Sequence, residues 1–213
     1  MKNKYVYIIL FLAISKVIFA QENYVKGYII KNNNDSIPGL IDFRMDEQNG
    51  QSCRFKLSES EPGQIFYPND ILRYKFINEG KYYVSREITI DSVSRRVFLE
   101  YLVDGVMDLY FYRPPQTPFG YYFFEDDRGN MTGIRKKPDE IIGPAVRSDK
   151  QYIGTLTYLF RDYPTVRKNL TNGSTPMTYE RRSMIKVTKD TITKYAAREK
   201  NVLFLLTITR KNM

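Results

Sequence analysis

The chain has no histidine, no tryptophan and a single cysteine, Cys53, among its 213 residues. Without histidine there is no Ser-His-Asp or Cys-His catalysis, and no histidine-ligated zinc, copper or non-haem iron. One cysteine makes neither an intramolecular disulfide nor a thiolate cage. Cys53 lies between Ser52 and Arg54 in a short strand-like run. It reads as a half-buried small residue, the alternative being a reactive thiol whose pKa Arg54 lowers. Neither G-x-x-x-x-G-K nor G-x-G-x-x-G occurs, so there is no phosphate-binding loop to argue from. Internal repeats and low-complexity segments are lacking too. No cofactor and no metal is implied.

What is present begins with an export signal. Lys2 and Lys4 precede an apolar stretch over residues 5–19, interrupted by Ser15 and Lys16, and Ala20 stands before Gln21. That order of charged, apolar and small residues reads as a secretory signal peptide over residues 1–20. The stretch is short for a membrane span of about 20 residues; an uncleaved anchor is the alternative. Export argues against cytosolic metabolism and against nucleic acid as a partner. No cysteine follows the cleavage point, so lipid attachment there is not expected. The formal charge of +9 is unevenly spread. Residues 21–130 carry 13 basic and 17 acidic side chains, a net of −4; residues 131–213 carry 17 and 7, a net of +10. Outside the cytoplasm a basic back half suits an anionic membrane surface, a phosphorylated glycolipid or an acidic partner. The plain alternative is a solvated basic face.

Strand and turn signals fill residues 21–145, the β-rich body. Strands are expected over residues 24–31, 37–44, 54–57, 65–67, 71–77, 82–90, 97–112 (a hairpin), 121–124 and 131–134. In the hairpin, Asp104-Gly105 predicts a two-residue type I′ turn that sets Val103 opposite Val106, Leu102 opposite Met107 and Leu99 opposite Tyr110. Both its faces are largely apolar, as in central strands covered on two sides. Residues 146–213 form the helical C-terminal part of the same domain. Tyr152, Leu156, Leu159 and Phe160 make one helical face that stops before Pro164, and residues 165–170 continue as a further turn. A loop spans 171–176. A helix follows over 179–200, and residues 202–208 are a last strand or a helix end packed on the sheet. The fold class predicted is α+β: an antiparallel β-rich sandwich or open barrel with two or three C-terminal helices packed on one face.

These landmarks resemble a family of uncharacterised secreted proteins of Bacteroidota-type bacteria. The stretches that carry the resemblance are Gly27-Tyr28-Ile29-Ile30, Asn34 to Ile41, Tyr67-Pro68-Asn69-Asp70-Ile71, Phe98 to Gly105 with Leu109 to Tyr112, Tyr152 to Leu156 with Asp162-Tyr163-Pro164, and Tyr179 to Val187. Some similar chains continue into an outer-membrane β-barrel, so residues 202–208 are either the end of a stand-alone member or what remains of a continuation. The resemblance implies no activity and no catalytic residues.

Carboxylates are the one catalytic set available in quantity. Glu100, Asp104, Asp108, Asp42, Asp46 and Glu47 are the candidates for a glycoside hydrolase pair. Glu100 stands out because it shares a face with Phe98 and Leu102, where burial disfavours its charge; the alternative is an edge or rim position, or pairing with an arginine such as Arg95 or Arg96. Tyr121 and Tyr122 are candidates for an aromatic groove that takes a glycan or peptide, or else they pack beneath the helices. Arg182, Lys186 and Lys189 fall at i, i+4 and i+7 and form a candidate contact surface. Asp35-Ser36-Ile37, Asp91-Ser92-Val93 and Asp190-Thr191-Ile192 resemble an O-glycosylation signal, although Asp-Ser also builds turns. Asn34, Asn130, Asn169 and Asn172 start Asn-x-Ser/Thr patterns. The function expected is a non-catalytic exported cell-envelope protein, a binding or assembly module, located in the periplasm, at the outer membrane or outside the cell. Its partner is a protein, a glycan or an anionic membrane surface. The alternative is a secreted carboxylate-dependent hydrolase acting on glycans.

Overall fold

The computed structural model describes residues 23–105, 107–172 and 177–190. The expected signal peptide, the helix beyond residue 190 and the segment 202–208 lie outside the described residues. Ten antiparallel strands form one sheet: β1 (Tyr24–Lys31), β2 (Ser36–Asp42), β3 (Cys53–Lys56), β4 (Gln64–Phe66), β5 (Ile71–Phe76), β6 (Tyr82–Ile90), β7 (Val93–Val103), β8 (Asp108–Tyr112), β9 (Tyr121–Glu125) and β10 (Met131–Ile134). Their order is β10-β9-β8-β7-β6-β5-β1-β2-β3-β4, so one meander runs β1 to β4 and a second starts where β5 returns to pair with β1. A one-turn helix, α1 (Asp46–Asn49), joins β2 to β3. A separate hairpin, β11 (Glu140–Ile142) and β12 (Ala145–Arg147), precedes α2 (Gln151–Leu159), α3 (Pro164–Asn172) and a helix over residues 181–190, here α4. The fold is therefore α+β, with a β-rich body and C-terminal helices on one face.

The strand register explains how the sheet holds three apolar clusters. One row of cross-strand neighbours passes through Ile37, Ile29, Tyr74, Tyr83, Glu100, Phe111, Tyr122 and Ile134, eight strands deep on a single face. At its β1–β5 end this face is filled by Ile29, Ile41, Phe55, Tyr74, Phe76 and Phe98 beneath the segment that contains α1. Tyr74 donates its hydroxyl hydrogen to the Asn49 carbonyl at 2.7 Å, which fixes that segment. At the β8–β10 end the same face is covered by the helices, through Leu156, Phe160, Val166, Leu170, Met184 and Val187 against Leu109, Phe111, Tyr122 and Phe124. The opposite face carries Val84, Val97, Leu99, Tyr110, Tyr112 and Phe123. There β6 to β10 coil until β10 meets β6, and Arg86 reaches Glu125 across the gap at 3.5 Å. An open barrel closed on one side and a helix layer on the other cover both faces of the central strands.

Two turns differ from expectation. The Asp104-Gly105 turn is not a two-residue connection: Val103 pairs with Leu109 and Tyr101 with Tyr110, so the register shifts at Leu102. The bulge turns both Leu102 and Val103 towards the helix-covered cluster, which Met107 also joins. Val103 thereby gains, beside Leu102 and Met107, a core that the tight turn would have denied it. The Asp108 carboxylate then accepts the Gly105 N–H at 3.1 Å. The tight hairpin lies one connection earlier. Ile90 pairs with Val93, and Asp91 and Ser92 hold φ of 50° and 66°, as a type I′ turn requires. The strand after it starts at Val93 rather than at residue 97. Neither α1 nor the β11–β12 hairpin was foreseen.

Candidate functional site

Glu100 is the only charged residue in the eight-strand row, and it is 4% exposed. A buried carboxylate needs a cation and donors for its oxygens. Arg181, at the start of α4, supplies both in a two-pronged contact, 2.6 Å to Oε1 and 2.7 Å to Oε2. Its guanidinium lies over the Phe111 ring, 4.8 Å from the centroid. The same guanidinium reaches Asp46 at 3.3 Å. Lys81 pairs with Asp46 and stands 3.7 Å from Glu100. Tyr83 donates to Asp46 at 3.1 Å; burial, reinforced by the Glu100 and Asp46 charges, pushes its phenol well up and keeps it a donor. The network sits where the cluster under α1 meets the cluster under the helices. It ties α1, β6, β7 and α4 together.

Beside it opens a cavity of about 920 Å³ lined by Asp42, Arg44, Asp46, Glu47, Arg54, Lys81 and Arg113 among others. Three of the six candidate acids, Asp42, Asp46 and Glu47, therefore share one cleft. Each is already engaged. Asp42 accepts the Asn23 N–H at 3.1 Å and lies 3.7 Å from Arg44. Asp46 holds Lys81, Arg181 and Tyr83, and Glu47 accepts the Gln116 N–H at 3.3 Å. Glu100 does not line the cleft. Asp104 and Asp108 belong to the β7–β8 connection and do not line it either. Arg95 and Arg96 are not the partners of Glu100. Arg95 alternates onto the other face of β7, and Arg96, on the face of Glu100, lies four residues along the strand opposite Glu87, to which it points at 3.8 Å.

The aromatic pair divides. Tyr122 is 4% exposed and packs between Phe111 and Tyr179, and burial pushes its phenol up to about 12. It is a core residue and cannot line a groove, because alternation places it on the helix-covered face. Tyr121 points the other way. It is half-buried and borders a pocket of about 390 Å³ with Phe119, Arg135 and Lys136. Arg182, Lys186 and Lys189 are exposed on α4, while Met184, Val187 and Thr188 on its other side are buried. Cys53 is buried, and desolvation raises its thiol far above the usual range against the opposing pull of Arg44. Among the described residues no group of three or more Cys, Asp or Glu is placed to hold a metal ion, and no helix is long and apolar enough to cross a membrane. Sequence reasoning missed Lys81, Tyr83 and the inward role of Arg181. The signal available was Glu100 itself, a carboxylate flanked by strand residues. No family model, curated protein or solved structure matches the chain.

Proposed function

We propose that the chain is a non-catalytic, exported cell-envelope protein, a binding or assembly module whose contact surface is the outer face of α4. The observation that carries this reading is the two-sided use of that helix. Arg181 is drawn inward to Glu100, and Arg182, Lys186 and Lys189 are left on the solvent side of the same two and a half turns. The basic C-terminal half thus presents cations from a face fixed to the sheet rather than from a loose tail. The occupied carboxylates weigh against the hydrolase alternative. A general acid and its partner need free oxygens facing a substrate, and here each cleft acid already accepts hydrogen bonds or faces a cation.

Exposed charge pairs with an anionic partner weaken with salt, because screening sets in beyond about 8 Å at physiological ionic strength. The expected result is that wild-type protein fractionates with the cell envelope and is released by high salt. The variant carrying Arg182→Glu, Lys186→Glu and Lys189→Glu should appear in the soluble exported fraction. Identical distribution of both proteins would remove the α4 face from the account.

A further inference from the structure

We propose that the β11–β12 hairpin is a membrane-inserting tip that seats in a bilayer surface containing anionic phospholipid. This rests on the reading of the chain as an envelope protein and names a partner class for it. Among the described residues the hairpin pairs only with itself, three residues against three, outside the ten-stranded sheet. A two-stranded hairpin alone is marginal in water, yet this one turns its apolar side chains outward. Ile141 is 81% exposed, Val146 67% and Ile142 55%. Ile141 and Val146 stand opposite each other on one face, with Ile142 and Ala145 on the other. Gly143 at φ +60°, followed by Pro144, closes the end. The six residues 141–146 hold no charge and no polar side chain. A patch of that kind on an otherwise charged surface marks an interaction site.

The occupant follows from the collar below the tip. Lys137, Arg147 and Lys150 are exposed, and among the described residues none of them forms a salt bridge; Glu140 stands opposite Arg147 in the hairpin register, while Asp139 and Asp149 are turned to other bonds. Asp139 holds Lys136 at 3.0 Å and accepts from Ser148; Asp149 accepts the N–H groups of Lys137 and Gln151. At about 3.3 Å per residue the strands reach roughly 10 Å from collar to tip. That matches the depth of about 5–10 Å at which interfacial segments sit, with the cations left at headgroup height. The tip is apolar on both faces, which suits insertion among acyl chains better than docking against one wall of a protein groove.

The absence of tryptophan makes the test direct, since I141W introduces the only indole. In the otherwise intact chain, vesicles containing phosphatidylglycerol should shift its emission to the blue and protect it from iodide, and vesicles of phosphatidylcholine alone should do neither. Neutralising Lys137, Arg147 and Lys150 to glutamine should weaken vesicle binding by roughly a hundredfold, from about 1 kcal/mol per juxtamembrane cation. V146W gives a second reporter should I141W fold poorly. Emission that stays at its exposed value with both vesicle types overturns the proposal, as does an equal shift in both. An indole silent towards vesicles but shielded in isolated envelopes would assign the hairpin to a protein partner and overturn it equally. None of these results touches the fractionation of the α4 variant, so failure of the hairpin and failure of the envelope reading are distinguishable.

Discussion

Replacing Arg181 with methionine should lower unfolding stability by about 2–3 kcal/mol, read as the shift of a urea transition at unchanged slope. Removing one partner of a buried ion pair strands the other, at a typical cost of about 3–5 kcal/mol. Two features moderate it here. Arg181 is itself 35% exposed, and Lys81 remains 3.7 Å from Glu100 after the loss. Glu100→Gln should cost less, because the arginine keeps Asp46 and can regain water. The double variant should be clearly more stable than the sum of the two losses implies, since a neutral residue at position 100 no longer needs the cation. Additive losses would mean that the two side chains contribute independently and that α4 is not held through Glu100. Hydrogen exchange over residues 181–190 should rise in the Arg181 variant before it rises in β1 or β5.

The second large effect is steric. A Cβ on Gly39 would fall on the Phe55 ring and the Lys56 carbonyl oxygen, and Gly39 lies opposite Gly27, where a Cβ would meet the Lys75 carbonyl oxygen at 2.6 Å. The paired glycines leave space that Phe55 and Ile41 fill. Gly39→Ala should therefore destabilise by about 2–3 kcal/mol, because the strand must move against a backbone atom. The same substitution at Gly154, which sits inside α2 with nothing within 4 Å of its Cβ position, should stabilise by about 0.5–1 kcal/mol through helix propensity and a restricted unfolded chain. Thermal melts of the two single variants should move in opposite directions. A melt of the Gly39 variant that does not fall would contradict the β2–β3 packing.

Periodic strands were the legible part of this fold. The limits expected for residues 24–31, 82–90 and 131–134 coincide with β1, β6 and β10, because each run is bounded by turn chemistry and needs no distant partner to be recognised. Helix α2 was visible from apolar spacing; of α3 only a further turn over 165–170 was expected, whereas Pro164, read as a stop, opens a nine-residue helix where its missing N–H costs nothing. Failures have physical causes. Asp104-Gly105 has the local preference for a tight turn, but the gain from placing Leu102, Val103 and Met107 on one core outweighs it. Asp91-Ser92 makes that turn instead, although serine is no strong positive-φ residue, because eight cross-strand pairs of β6 and β7 converge on it. The β11–β12 hairpin is apolar on both sides, so it lacks the alternation that reveals a strand. At the site, burial of Glu100 could be read from its neighbours. Its partner stands 81 positions later, and nothing local distinguishes Arg181 from Arg182; only the docking angle of α4 decides which one faces the sheet.

Every part of the functional account depends on the chain leaving the cytoplasm, and intact-mass and N-terminal peptide analysis of the native protein tests that most directly. The expected result is a mature chain that starts at Gln21, with residues 1–20 removed and the protein recovered from the envelope or exported fractions. A native protein that retains Met1 and its following residues in the cytoplasm would contradict the account, whatever the α4 face or the hairpin binds in isolation.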